Sequence, residues 1–118
     1  GKDTYEIGAT GNQNAYATIN GTKAELSGDV IKFAGLTGFN DAKIVLGATA
    51  VFQDYVNEAA KSTTADNKVA WFQLDGNTYV VQNNSTLDSF ANGVDAVVKI
   101  TGLVDLTFND TTNVLEIA

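Results

Sequence analysis

The sequence predicts a single, mainly β domain in which one helix packs against a sheet. Three observations support this fold class: short apolar runs separated by Gly, Asn, Asp and Thr, one clear helical period, and an Asp-Gly pair between two β-rich runs. The chain has 118 residues, of which 44% are hydrophobic, enough for one core without disulfide bonds. We therefore expect one domain, arranged as a β-roll or β-sandwich.

The N-terminal segment, residues 1–28, combines turn-forming residues with isolated apolar ones. Its isolated apolar residues are Tyr5, Ile7, Tyr16, Ile19 and Leu26. Gly, Asn and Thr separate them, which indicates short strands joined by tight turns. We interpret 1–28 as degenerate β-turn repeats and 29–118 as a helix and a sheet that end in an apolar tail.

Two short strands and the helix are predicted next. The runs DVIKFAGL, at 29–36, and AKIVLG, at 42–47, are each long enough for one short strand. In TAVFQDYVNEAAKS, apolar residues recur at helical spacing, and Thr49 is a suitable N-cap residue. The sequence thus predicts a helix over 49–61 whose apolar side covers one face of the sheet.

The run VAWFQLDGNTYVV, at 69–81, predicts a hairpin with Asp75 and Gly76 at its turn. A type I′ turn requires positive φ at both central residues, and Asp-Gly is a favoured pair there. This turn pairs Trp71 with Val80 and leaves large apolar side chains on both faces. We expect a central hairpin, covered by the helix on one face and by the N-terminal strands on the other. A ligand-binding face built on Trp71 is the alternative to a core position.

The C-terminal part of the chain contains a polar loop and further short strands. QNNSTLDSFANG, at 82–93, is rich in residues that favour loops, and VDAVVKITGLVDL, at 94–106, predicts two strands that meet near Gly102. The last predicted strand is an apolar run made of Val114, Leu115, Glu116 and Ile117.

The ionisable residues argue against several classes of function. The chain has 14 acidic residues against 7 basic ones, a formal net charge of −7, and neither His nor Cys. An acidic, Arg-free chain repels phosphates, so we expect no nucleic-acid partner. The usual general base and the thiolate or imidazole metal ligands are missing, and no nucleotide-binding motif occurs. We therefore expect no enzymatic activity. No apolar run approaches the ~20 residues of a membrane span, so we expect none.

Calcium is the metal that this composition suits, because oxygen ligands are plentiful. Asp88, Asn92 and Asp95 cluster near Gly93 and form a candidate calcium site. The sequence contains neither the EF-hand pattern nor the glycine-rich nonapeptide of calcium β-rolls. A polar loop that binds no metal is the alternative, and the missing motifs favour it.

Several of these segments resemble the C-terminal regions of repeats-in-toxin proteins. GDVIKFAGL is similar to the segment that follows their calcium repeats, and VAWFQLDGNTYVVQ, GVDAVVKITGLVDL and VLEIA are similar to their C-terminal end. With an Ala-rich helix before the hairpin, the likeness is closest to bacterial surface-layer and related surface proteins exported by the type I route. It spans about 28–118 and is strongest at 69–106.

This resemblance implies a secreted protein of the bacterial cell surface, whose C-terminal domain caps the fold and carries an uncleaved export signal. The signal would lie in the apolar tail, at Val114, Leu115, Glu116 and Ile117. The implied partners are a type I exporter and, in a surface array, identical subunits; calcium is the possible cofactor. Two alternatives stay open: a calcium-dependent assembly or adhesion module of a surface layer, and the tail of a secreted hydrolase.

Overall fold

The computed structural model describes residues 3–8, 16–63, 68–85 and 87–118. Over these residues the protein is mainly β, with two sheets and one helix of more than two turns in a single domain. The predicted fold class is therefore confirmed. The prediction of degenerate repeat turns over 1–28 stays a prediction, because residues 1–2 and 9–15 of this segment lie outside the described residues.

The described residues form nine strands and two helices. In chain order these are β1 (Thr4–Ile7), β2 (Ala17–Ile19), α1 (Lys23–Leu26), β3 (Val30–Phe33), β4 (Gly38–Phe39), α2 (Phe52–Ser62), β5 (Lys68–Leu74), β6 (Asn77–Gln82), β7 (Ala96–Ile100), β8 (Leu106–Asn109) and β9 (Val114–Ile117).

The strands form two sheets, which we call the outer sheet and the central sheet. The outer sheet has four strands in the order β1-β3-β9-β8, and the central sheet has five in the order β2-β7-β6-β5-β4. β1 pairs parallel with β3, and β2 pairs parallel with β7. In contrast, β9 runs antiparallel to both of its neighbours, β3 and β8. The end of the chain thus lies inside the outer sheet.

The predicted hairpin is confirmed in its turn and in its register. Trp71 pairs with Val80, and the ladder runs from the pair nearest the turn, Leu74 with Asn77, back along both strands. Asp75 has a φ of 52° and Gly76 a φ of 81°, as a type I′ turn requires.

Two hydrophobic cores flank the central sheet. The inter-sheet core lies between the two sheets, and its buried side chains are Ile19, Leu26, Ile31, Phe33, Leu36, Val69, Trp71, Val80, Ala96, Val98, Ile100, Val104, Leu106, Leu115 and Ile117. The helix-side core lies between the central sheet and α2, and its buried side chains are Tyr55, Val56, Ala59, Ala70, Phe72, Tyr79, Val81 and Val97. Alternate residues of the hairpin therefore enter opposite cores, as the sequence predicts. Trp71 belongs to the inter-sheet core, where its indole N–H donates to the carbonyl of Asp41 at 3.0 Å.

Helix α2 begins three residues later than the sequence predicts. Its N-cap residue is Val51, not Thr49, and the Asp54 carboxylate accepts a hydrogen bond from the Val51 backbone N–H at 3.0 Å. An acidic side chain in the first turn satisfies an N–H that has no partner within the helix. Val51 therefore precedes the helix, and its side chain is exposed.

One local prediction is wrong, one is right only in part, and one helix was not predicted. The run 42–47 is not a strand: only Ile44 forms a bridge, to Phe72, while the edge strand β4 lies earlier in the chain. Of the two strands predicted within 94–106, the first is β7 and the chain bends at Gly102 as expected, but the second strand, β8, begins only at Leu106. Helix α1 was not predicted, although Thr22 and Glu25 form a capping box around its first turn.

Candidate functional site

The apolar tail is an internal strand of the folded protein. Leu115 is completely buried, and Val114 and Ile117 are also buried. The Ile117 N–H donates to the carbonyl of Asp29 at 2.9 Å, and the Ile117 carbonyl accepts from the N–H of Gly28 at 2.7 Å. The four residues that the resemblance marks as an export signal are thus part of the inter-sheet core and its ladders, and only Glu116 remains partly accessible.

The buried carboxylate of Asp29 joins the first strand to this region. Asp29 Oδ1 accepts from the Asp3 backbone N–H at 3.0 Å, and the Tyr5 hydroxyl donates to Oδ2 at 3.5 Å. Desolvation, followed by the charges of Asp29 and Asp3, raises the pKa of the Tyr5 hydroxyl above its usual value. This contact was not predicted, and its only sequence signal is an Asp placed directly before a strand.

The loop that carries the candidate calcium ligands is organised around Asp95. This side chain is completely buried; its Oδ1 accepts from the N–H of Asn84 at 2.7 Å and its Oδ2 from the N–H of Ala91 at 2.8 Å. Both carboxylate oxygens therefore hold the loop closed. Asp88 and Asn92 lie on its exposed part.

Calcium binding by these three residues stays a prediction. Among the described residues, no group of three or more Asp, Glu, His or Cys side chains converges in a way that could hold a metal ion. The contacts of Asp95 account for its burial without a cation, because charge-assisted bonds to backbone N–H groups offset the cost of desolvating a carboxylate.

A groove of about 330 Å³ lies beside the turn of the central hairpin. It is lined by Lys43, Ile44, Val45, Tyr55, Gln73, Leu74, Asp75, Gly76 and Leu103. Val45 and Leu103 are large apolar side chains that remain mostly exposed there. The turn residues Asp75 and Gly76 thus contribute to a surface as well as to the fold.

A second cavity, of about 540 Å³, lies at the C-terminal ends of β1 and β3. Ile7 and Phe33 form its apolar part, and Glu6 and Lys32 contribute opposite charges from directly paired positions. Tyr5 and Ile7 of β1 are only partly buried where they pack against the inter-sheet core. The core is therefore less completely covered at this edge than around β9.

Stacked aromatic rings surround Tyr79 in the helix-side core. Its ring stacks on Phe72 at 5.1 Å between centroids, and Phe72 stacks on Tyr55 at 5.0 Å. Burial, followed by the neighbouring Tyr16 and the charge of Asp75, raises the pKa of Tyr79 to about 12. The fold therefore favours the neutral phenol up to a higher pH than an unfolded chain does.

The described residues thus form two concave surfaces, the groove and the cavity, and an apolar strand, β9, that lies inside the outer sheet. The groove and the cavity each combine apolar side chains with one Lys and one acidic residue.

Neither a scan against protein-family models nor a search of curated proteins gave a match to this chain. Within the described part of the chain, no helix combines the length and the apolar character needed to cross a bilayer; the longest, α2, has 11 residues.

Proposed function

We propose that this chain is a non-catalytic C-terminal domain of a secreted bacterial surface protein, in which one segment has two successive roles. The tail, residues 114–117, would be recognised by a type I exporter while the chain is unfolded. After export the same residues would form β9 and close the outer sheet. The domain would then cap the fold of the protein that precedes it.

The observation that carries the proposal is the internal position of β9. Leu115 and Ile117 are buried, and the strand is bonded on both sides, to β3 and to β8. A signal at these positions is accessible only before folding. The tail could therefore not be bound by the exporter and folded into the sheet at the same time. Its release from the exporter would allow the inter-sheet core to be completed.

The composition supports passage of an unfolded chain. There is no Cys, so no disulfide can form before export, and the net charge of −7 opposes compaction through self-repulsion.

The capping role is supported by the strand edges on the N-terminal side. Among the described strands, β1 ends the outer sheet and β2 ends the central sheet. Both pair in parallel with their inner neighbours, so a preceding coil of parallel strands could extend either ladder in the same direction. The partly buried Tyr5 and Ile7 would be covered by that addition.

A secretion assay can separate the tail from the fold. Residues 1–118 are fused behind a passenger protein and co-expressed with a type I exporter. Two unfolding variants are compared with the wild type: deletion of 114–118, and Ile31→Asp, which places a charge at a completely buried position opposite Leu115. Both variants lose the fold, but only the deletion loses the tail.

We expect Ile31→Asp to be exported at least as well as the wild type and the deletion to stay in the cell. Equal export of both variants would show that the signal is not in 114–118. Failure of both would mean that the exporter depends on the fold, which also contradicts the proposal.

A further inference from the structure

We propose that the groove beside the hairpin turn is a self-association site, at which a second copy of this chain binds about a two-fold axis. We call the exposed residues Lys43, Val45, Asp75 and Leu103 the turn face. Each copy would place the apolar residues of its turn face against those of the other, with the charged residues at the rim.

The turn face presents two large apolar side chains on one groove. Val45 is 76% exposed and Leu103 is 57% exposed, and both line the same groove. Single exposed apolar residues are common on soluble proteins, but adjacent ones around a concave surface mark a binding site. Ile44 and Leu74, which are partly buried, extend the apolar lining beneath them.

Leu103 is held in its exposed position by the hairpin. The Gln73 amide donates to the Val104 carbonyl at 3.1 Å, and the Thr78 hydroxyl donates to the Gly102 carbonyl at 2.9 Å. Thr78 Oγ1 in turn accepts from the Val104 N–H at 3.1 Å. Bonds on both sides of Leu103 fix this bend, so little conformational entropy remains to be lost when a partner binds.

The charges at the rim suit a second copy as the occupant, although Lys43 Nζ also donates to Gln73 Oε1 of its own chain at 2.9 Å. Lys43 and Asp75 are both exposed and lie on the same groove. In a dimer with a two-fold axis, every contact between two different residues occurs twice, once in each direction. Lys43 of each copy can therefore face Asp75 of the other. This pairing offsets the repulsion between two chains that each carry a net charge of −7.

This inference does not depend on the proposed export role. The turn face lies at the hairpin turn, whereas the tail strand β9 belongs to the other sheet. A monomer that is exported through its tail would support the export role alone. A dimer that is not exported would support self-association alone.

The test is sedimentation equilibrium of the purified 118-residue chain over protein concentrations from micromolar to millimolar. We expect a monomer–dimer equilibrium in the wild type. Leu103→Ser should raise the dimer dissociation constant roughly 10-fold or more, as removal of a central apolar anchor does. Leu87→Ser is the matched control, because Leu87 is also 57% exposed but lies beyond the far end of β6.

A charge exchange tests the two-fold geometry. Lys43→Glu and Asp75→Lys should each weaken self-association, and an equimolar mixture of the two should restore a heterodimer, because both rim pairs then join opposite charges. Lys at position 75 must adopt positive φ, so thermal melts of each variant accompany the measurement. Asp75→Asn removes the charge and keeps a turn-forming residue. It should weaken the dimer, and its mixture with Lys43→Glu should form a heterodimer with one oppositely charged rim pair instead of two.

Three results would overturn the proposal. The first is a wild type that stays monomeric at millimolar concentration. The second is a dimer that Leu87→Ser weakens as much as Leu103→Ser does. The third is assembly beyond the dimer, which would indicate head-to-tail contacts instead of a closed two-fold pair.

Discussion

The two cores on either side of the central sheet are assembled in different ways. The helix-side core takes its side chains mainly from α2 and the hairpin β5–β6, which follow each other closely in the sequence. The inter-sheet core takes side chains from the beginning, middle and end of the chain, including Ile31 of β3 and Leu115 of β9. One core is therefore local, and the other requires distant segments to meet.

This difference shows what the hairpin does for the fold. Phe72 and Tyr79 enter the helix-side core, while Trp71 and Val80, their neighbours in sequence, enter the inter-sheet core. A strand buried on both faces couples the two layers, so damage to either core is expected to unfold the whole domain cooperatively. The following predictions test that coupling.

The largest effect is expected at the inter-sheet core. Leu115→Ala leaves a cavity at a completely buried position and should lower the free energy of unfolding by about 2–5 kcal/mol. Urea denaturation followed by tryptophan fluorescence measures it, since Trp71 lies in the same core. Thr107→Ala, on the exposed side of the adjacent strand, is the control and should change stability by less than about 0.5 kcal/mol. Equal effects of both variants would contradict the assignment of β9 to the core.

A smaller effect is expected at the start of α2. Asp54→Ala removes the carboxylate that accepts from the Val51 N–H and should cost about 1 kcal/mol. Gln53→Ala, one residue earlier on the exposed side, is the matched control and should be neutral. If the cores are coupled, Asp54→Ala shifts the far-ultraviolet and tryptophan transitions together. Separate transitions would show that the helix-side core melts alone.

The smallest effect on stability is expected at Tyr79. It does not arise at neutral pH and is seen only in alkaline solution. Because its pKa rises from 10.0 in an unfolded chain to about 12 in the fold, the unfolded chain loses this proton first. Stability is therefore complete below pH 10 and falls as the pH rises towards 12. Tyr79→Phe keeps the stacked ring and should make the melting temperature less dependent on pH in that range. An unchanged pH dependence would mean that Tyr79 does not titrate as an isolated buried phenol.

The hairpin could be predicted from the sequence because its determinants are local. Asp75 and Gly76 specify the turn, the turn specifies the register, and the apolar side chains on both faces specify burial. The stripe of α2 is equally local, and Tyr55, Val56, Ala59 and Ala60 are buried as its period predicts.

The rest depends on partners that a local pattern does not contain. AKIVLG, at 42–47, has the composition of a strand, but a strand also needs a neighbour to bond, and only Ile44 reaches one. Thr49 is a good N-cap residue, yet the side chain of Asp54 decides where the helix begins. The turn face was missed for the same reason, since Val45 and Leu103 become neighbours only through the fold.

The pairing of β9 with β3 also bears on folding kinetics. Ile31 and Leu115 are direct neighbours in the ladder although they lie 84 positions apart in a chain of 118 residues. Topologies with such contacts fold slowly, because a long loop must close before the contact contributes. During synthesis, the outer sheet cannot be completed before β9 has left the ribosome, and until then Ile31 lacks its neighbour Leu115. A chaperone that binds apolar segments would have its longest opportunity there.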